Sequence, residues 1–180
     1  MDKKRCFISL DLLPEMIEEV VKIQDNIRKK ELFRGKFTEK ENIHLTLKFL
    51  GEISQETIEK TRNRLKKIRF HSFDAEIKKA GVFSKKVTRI IWLTLGPEKV
   101  FELQNAVDDS LEGLFKKEKR FMSHITIARV KTIFDKQDLL DHLDKIEKVI
   151  KGNIQSFSLY ESELTQNGPI YRLIERFFLE

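Results

Sequence analysis

Ile43-His44-Leu45-Thr46-Leu47-Lys48-Phe49-Leu50 is a short apolar run with a histidine and a threonine set two places apart. Its partner comes eighty residues later, as His124-Ile125-Thr126-Ile127-Ala128-Arg129-Val130. Both runs are rich in β-branched and aliphatic residues and read as strands. Side chains alternate faces along a strand, so His44 and Thr46 share one face while Leu45, Leu47 and Phe49 share the other. In the second copy His124 and Thr126 share a face opposite Ile125 and Ile127. An incidental His and Thr on the wet side of a half-buried strand would explain one copy; two copies in matched context point to a site.

The surrounding chain repeats with the motifs. A strand is expected at Arg5–Leu12, followed by a helix from Pro14 to about Lys29, with Ile17, Val20, Val21 and Ile27 as its apolar stripe and Pro14 in a first-turn position. The first motif strand comes next. A helix follows from Ser54, a good N-cap, with Ile58, Leu65 and Ile68 facing inward. A strand at Phe73–Phe83 closes this half. The second half runs in the same order: a strand at Arg89–Leu95, and a helix from Pro97 carrying Val100, Leu103, Val107, Leu111 and Leu114. After the second motif strand comes a helix from near Asp135 with Leu139, Leu143, Ile146 and Ile150, then a strand at Ile154–Leu164. A turn at Asn167-Gly168-Pro169 leads into an extra strand, Ile170–Leu179.

The expected fold is therefore α+β, with duplicated β-α-β-α-β units, pseudo-repeats at about 4–84 and 87–166, and the extra strand at 170–179. No linker separates the halves, so residues 1–180 read as a single two-lobed domain. Its antiparallel sheets should face a central cleft, with the helices outside.

Composition narrows the function. The chain has 180 residues, one cysteine and a net charge of +6. Cys6 reads as a core residue of the first strand, and a single thiol fits a reducing, cytoplasmic setting. Met1-Asp2-Lys3-Lys4-Arg5 is followed by only a short apolar run, so no signal peptide is expected. No stretch approaches the ~20 apolar residues of a membrane span. The positive charge favours anionic partners, nucleic acid first. There is no His-Glu-x-x-His, no cysteine pair and no carboxylate within either motif, so neither a metal nor a cofactor is expected.

Two imidazoles facing one phosphate suit the opening of a cyclic phosphodiester. Water must lose a proton and a ribose oxygen must gain one, and histidine does either near neutral pH. The Thr hydroxyls can hold phosphate oxygens. The residues alone leave open which histidine is acid and which is base.

With these motifs the chain resembles the two-histidine phosphoesterase superfamily, and within it the RNA 2′,3′-cyclic phosphodiesterases, also known as 2′-5′ RNA ligases. The matching stretches are Arg5–Asp11, Glu41–Gly51, Arg89–Leu93, Ser123–Val130 and Gly168–Tyr171. The resemblance implies metal-independent hydrolysis of a terminal RNA 2′,3′-cyclic phosphate to a 2′-phosphate. It also implies His44 as proton donor and His124 as proton acceptor, and a reversible ligation forming 2′-5′ linkages. Ser123 departs from a pattern in which Pro often precedes the second motif. The expected partner is RNA with a 2′,3′-cyclic phosphate end, acted on by a monomer without a membrane. A non-catalytic RNA-binding module is the competing reading. So is a phosphodiesterase acting on 2′-5′ oligonucleotides or small cyclic nucleotides.

Other candidates vary in strength. Arg129 matches a family arginine near the phosphate, yet strict alternation puts it with Ile125 and Ile127; it reaches the cleft only if the strand bulges or ends near Ala128. Lys48 shares the face of His44 and Thr46 and is a candidate for RNA phosphate, with a solvated rim lysine as the alternative. Phe7 is expected on the polar-side face of the first strand with Ser9, where it would stack on a base or simply pack. Trp92 reads as its match in the second half. Tyr171 follows the Gly-Pro turn and is a candidate cleft residue. His71 reads as a loop residue and His142 as an exposed helix residue. Lys85-Lys86 and Lys116–Arg120 are basic runs in expected turns, and Asp108-Asp109 has no partner ligands for a metal.

Overall fold

The computed structural model describes residues 3–146, 150–166 and 168–180. Nine strands and four helices are found among them. They run β1 (Lys4–Leu10), α1 (Pro14–Arg28), β2 (Phe33–Phe37), β3 (Leu45–Ile53), α2 (Gln55–Leu65), β4 (Phe73–Val82) and β5 (Ile90–Gly96). They continue with α3 (Lys99–Ser110), β6 (His124–Ile133), α4 (Lys136–Asp144), β7 (Ile150–Ile154), β8 (Ser156–Thr165) and β9 (Gly168–Phe178). A 3₁₀ turn at Lys40–Asn42 leads into β3.

Three helices start where their sequence says they should, while α3 begins at Lys99, two residues after the expected Pro97. Pro14 opens α1, where its missing N–H costs nothing. Ser54 caps α2 by accepting the Thr57 N–H at 3.3 Å, and Asp135 caps α4 by accepting the Asp138 N–H at 2.9 Å. Of the expected stripes, Val20 and Ile27 on α1, Ile58 and Leu65 on α2, and Val100, Leu103 and Val107 on α3 are buried. Ile17, Val21 and Ile68 are only half-buried, and Met16 and Ile23 complete the inner face of α1.

Two antiparallel sheets form, in the orders β3-β1-β8-β9 and β2-β6-β5-β4-β7. Strand order along the chain does not reveal how the halves are interleaved. The third main strand of each half crosses over: β4 pairs with β5, and β8 pairs with β1. Helices cross as well, with α1 packing on β6 and β7, and α3 touching β3 as well as β5. Neither sheet can therefore form from one half of the chain alone.

Two strands escape the sequence reading. β2 pairs with the edge of β6, and β7 pairs with β4, bringing Ile150 opposite Ile77. Ile150 keeps helical spacing with Ile146, but α4 ends at Asp144 and Ile150 belongs to a strand. Asn167 of the expected turn lies outside the described residues, as do residues 147–149 and 1–2.

The register of both motif strands carries the most consequence. On β3, Ser9 faces Thr46 and Ile8 faces Lys48, so Leu47 is an extra residue. On β6, Trp92 faces Thr126 and Ile91 faces Ala128, so Ile127 is extra. Each is a bulge, and it reverses the alternation beyond it. Two consecutive side chains are buried in each strand, Leu47 with Lys48 and Ile127 with Ala128.

Candidate active site

His44 lies just before β3 and His124 opens β6, one from each sheet. Both line a single cleft of about 570 Å³, together with Thr46 and Thr126. The two imidazoles are held in the same way. His44 Nδ1 lies 2.7 Å from the Asn42 carbonyl, and His124 Nδ1 lies 2.8 Å from the Met122 carbonyl. A carbonyl can only accept, so each Nδ1 carries a proton and donates it. Nε2 is then the atom left to exchange protons with a substrate. In His44 this atom sits 3.0 Å from the Thr46 Oγ1, whose hydroxyl can donate to it while the ring is neutral.

Burial is the main force lowering the His44 pKa. It outweighs the bond to the Asn42 carbonyl, and a positive charge on His124 lowers the pKa further. The two rings are thus close enough to influence each other electrostatically.

Aromatic side chains build the walls. The Phe7 ring is 5.0 Å from His44 and 4.8 Å edge-on to Tyr171, and Tyr171 is itself edge-on to His44 at 5.1 Å. Phe7 is buried and forms a fixed wall, while Tyr171 is half-buried in the cleft lining. Burial raises the Tyr171 pKa, and the Arg129 and Arg5 guanidinium groups act against it.

Arg129 lines the cleft with His124 and Thr126 because of the Ile127 bulge. That bulge is braced from the other half of the chain. The buried Gln24 of α1 donates from Nε2 to the carbonyls of Ile127 and Thr38, both at 2.8 Å. The Thr38 N–H adds a bond of 3.0 Å to the same Ile127 oxygen. Gly35 makes the close approach of β2 possible, since a Cβ there would stand 2.2 Å from the Arg129 carbonyl oxygen.

Lys48 does not face the cleft. The Leu47 bulge turns it to the covered side, where only 5% of its side chain is exposed and it forms an ion pair with Asp108 of α3. It also donates to the Lys116 carbonyl at 2.8 Å. Asp108 further accepts from Gln104 Nε2 and the Glu118 N–H, each at 2.8 Å. Burial by itself would raise the Asp108 pKa; these partners outweigh it and hold the carboxyl below its usual range. Phe49 takes the cleft place that alternation gave to Lys48, under the Arg5 guanidinium 4.5 Å from its ring centre.

Several lining residues went unread in the sequence. Arg5 shares the face of Phe7 by simple alternation, so its signal was there. Lys36 and Phe37 belong to the unread β2, and Lys36 is paired with Glu39 at 2.6 Å. Trp92 is not the counterpart of Phe7: it pairs with Thr126 as Ser9 pairs with Thr46, and Ile90 holds the place matching Phe7. Trp92 packs against Phe83 instead. His142 is half-buried rather than exposed, and His71 is an exposed loop residue as expected. Lys85, Lys86 and residues 116–120 are exposed outside helices and strands. Among the described residues no group of three or more His, Cys, Asp or Glu converges to hold a metal ion. Among the described residues no helix is long and apolar enough to cross a membrane.

A family model for LigT like phosphoesterases matches residues 10–92 and 95–171. The chain belongs to this family. Among the proteins similar to this chain is the RNA 2′,3′-cyclic phosphodiesterase of Methanocaldococcus jannaschii, 34% identical over 95% of this chain and 98% of its own length. The protein of that name from Methanothermobacter thermautotrophicus is 32% identical over 98% of this chain and all of its own. The crystal structure of apo LigT from Escherichia coli superposes with a TM-score of 0.80 at 22% identity, covering 99% of both chains. This last likeness concerns the fold alone.

Proposed function

We propose that this LigT-like phosphoesterase hydrolyses the 2′,3′-cyclic phosphate at the end of an RNA to a 2′-phosphate. One observation carries the reading: two imidazoles from different sheets share a cleft, each with Nδ1 fastened and Nε2 left to exchange a proton. In-line displacement at phosphorus needs a base on the side of the attacking water and an acid on the side of the departing oxygen. The names and full-length similarity of the relatives support RNA cyclic phosphate as substrate.

In this mechanism His124 Nε2 takes a proton from water as the water oxygen bonds to phosphorus. The bond from phosphorus to O3′ breaks, and His44 Nε2 gives its proton to O3′. Burial makes His44 hold that proton loosely, which suits a donor. The assignment of the two roles rests on the family resemblance. Thr46, released from His44 Nε2, and Thr126 hold the non-bridging oxygens, and Arg129 balances their charge. Tyr171 and Phe7 steady the terminal nucleoside on the His44 side. The cleft is complete within one chain, which supports action as a monomer. The single thiol, Cys6, is buried and raised to about 11 by that burial, in keeping with a reducing cytoplasm.

The test uses an RNA ending in 2′,3′-cyclic phosphate, with the product identified by ³¹P NMR. A 2′-phosphate is expected. A 3′-phosphate refutes the assigned geometry. Tight RNA binding without turnover leaves a binding module, and faster turnover of 2′-5′ oligonucleotides or cyclic mononucleotides moves the substrate class.

A further inference from the structure

The two sides of the cleft treat their histidines differently. Each imidazole meets an aromatic ring edge-on, His44 with Tyr171 at 5.1 Å and 85°, His124 with Phe83 at 5.0 Å and 82°. Tyr171 sits within a sheet and packs on Phe7. Phe83 stands just past the end of β4 and is 50% exposed. It is backed by the Trp92 ring at 5.8 Å. Trp92 in turn presses on Gly81, where a Cβ would stand 2.7 Å from the indole, so the backing cannot retreat without disturbing β4. Lys85, Lys86 and Arg89 follow within six residues and are all exposed.

A water nucleophile has no use for such a surface. An aromatic ring supported from behind, open in front and followed by cations is what a nucleoside with its phosphates requires. We propose that Phe83 is the stacking platform for the 5′-terminal nucleoside of a second RNA, whose 5′-hydroxyl takes the place of water beside His124. The proposal rests on the reading above in which His124 is the base, and it assigns to Phe83 the choice between water and RNA as acceptor.

The chemistry balances without a further reactant. The 5′-hydroxyl gives its proton to His124 Nε2 as its oxygen bonds to phosphorus. The bond from phosphorus to O3′ breaks, and O3′ receives the proton of His44. The product is a 2′-5′ phosphodiester, and the reverse reaction uses the same groups with their roles exchanged. Lys85 and Lys86 would meet the phosphates that follow the acceptor's first nucleoside.

The experiment incubates RNA ending in cyclic phosphate with excess 5′-hydroxyl RNA, and reads the ratio of 2′-5′-joined product to 2′-phosphate. This ratio is internal to each reaction, so a general loss of activity does not move it. Phe83→Ala should lower the ratio roughly tenfold, while Phe83→Trp should keep it near the wild-type value. Lys85→Ala with Lys86→Ala should lower it too, more at low salt than at high. An unchanged ratio in Phe83→Ala overturns the proposal. So does a wild-type protein that hydrolyses the cyclic phosphate but joins nothing at saturating acceptor. Absence of both products instead overturns the hydrolytic reading, and the acceptor platform falls with it.

Discussion

Replacing Lys48 with Met separates two accounts of that residue. On the cleft face a lysine would serve RNA binding, and its loss would cost activity but little stability. In the fold it is buried against Asp108, with 5% and 4% of the two side chains exposed. Met keeps most of the aliphatic stem and removes the ammonium, with its ion pair and its bond to the Lys116 carbonyl. Breaking one partner of a buried ion pair typically costs about 3–5 kcal/mol. Asp108 keeps its bonds from Gln104 and Glu118, so the lower end, about 3 kcal/mol, is expected. At about 2–4 °C per kcal/mol for a chain of this size, Tm should fall by roughly 6–12 °C. Adding Asp108→Leu removes the stranded carboxylate and should recover much of that loss. The sign with pH follows from the depressed Asp108 pKa. Its stabilisation is present above the unfolded carboxylate range and is lost as pH falls through the lower folded value. The gap between wild type and Asp108→Asn should therefore narrow on acidification. Denaturant and thermal unfolding measure all of this. A Lys48→Met protein as stable as wild type but unable to bind RNA would refute the buried clamp.

Further outcomes concern the cleft. His124→Ala should raise the His44 pKa, because a charge that lowers it is gone; NMR titration of the ring reads this, and no change would mean the rings do not interact. Arg129→Ala should lower kcat/KM by roughly 10²–10³, as for loss of one charge-stabilising donor, in a steady-state assay with cyclic-phosphate RNA. Gln24→Leu removes the side-chain brace of the Ile127 bulge and should lower kcat/KM roughly tenfold, an effect that disappears in the Arg129→Ala background if Gln24 acts by placing Arg129.

What the residues made legible was periodic: the helix stripes, most strands, and the pairing of each His with a Thr two places on. The Leu47 bulge was not legible and the one near Ala128 entered only as a condition on Arg129, because Leu47 and Ile127 are ordinary strand residues and a bulge is decided by backbone pairing across the sheet. In β3 the extra residue moved Lys48 into the core and brought Phe49 to the cleft; in β6 the extra residue met the condition on which Arg129 could reach the cleft. The exchange of β4 and β8 between sheets was hidden for a related reason, since alternation tells which face is apolar but not which strand lies alongside. β2 carries Phe33 and Phe37 around an exposed, polar middle, too weak a pattern to register. β7 was masked by Ile150 keeping step with the preceding helix.

If both imidazoles work on one phosphorus, their losses cannot be independent. His44→Ala and His124→Ala should each lower kcat by roughly 10²–10⁴ on cyclic-phosphate RNA, and the double variant should be scarcely worse than the poorer single one. A double variant whose loss equals the product of the two single losses would mean that the histidines serve separate events, and the shared-phosphate account would be wrong.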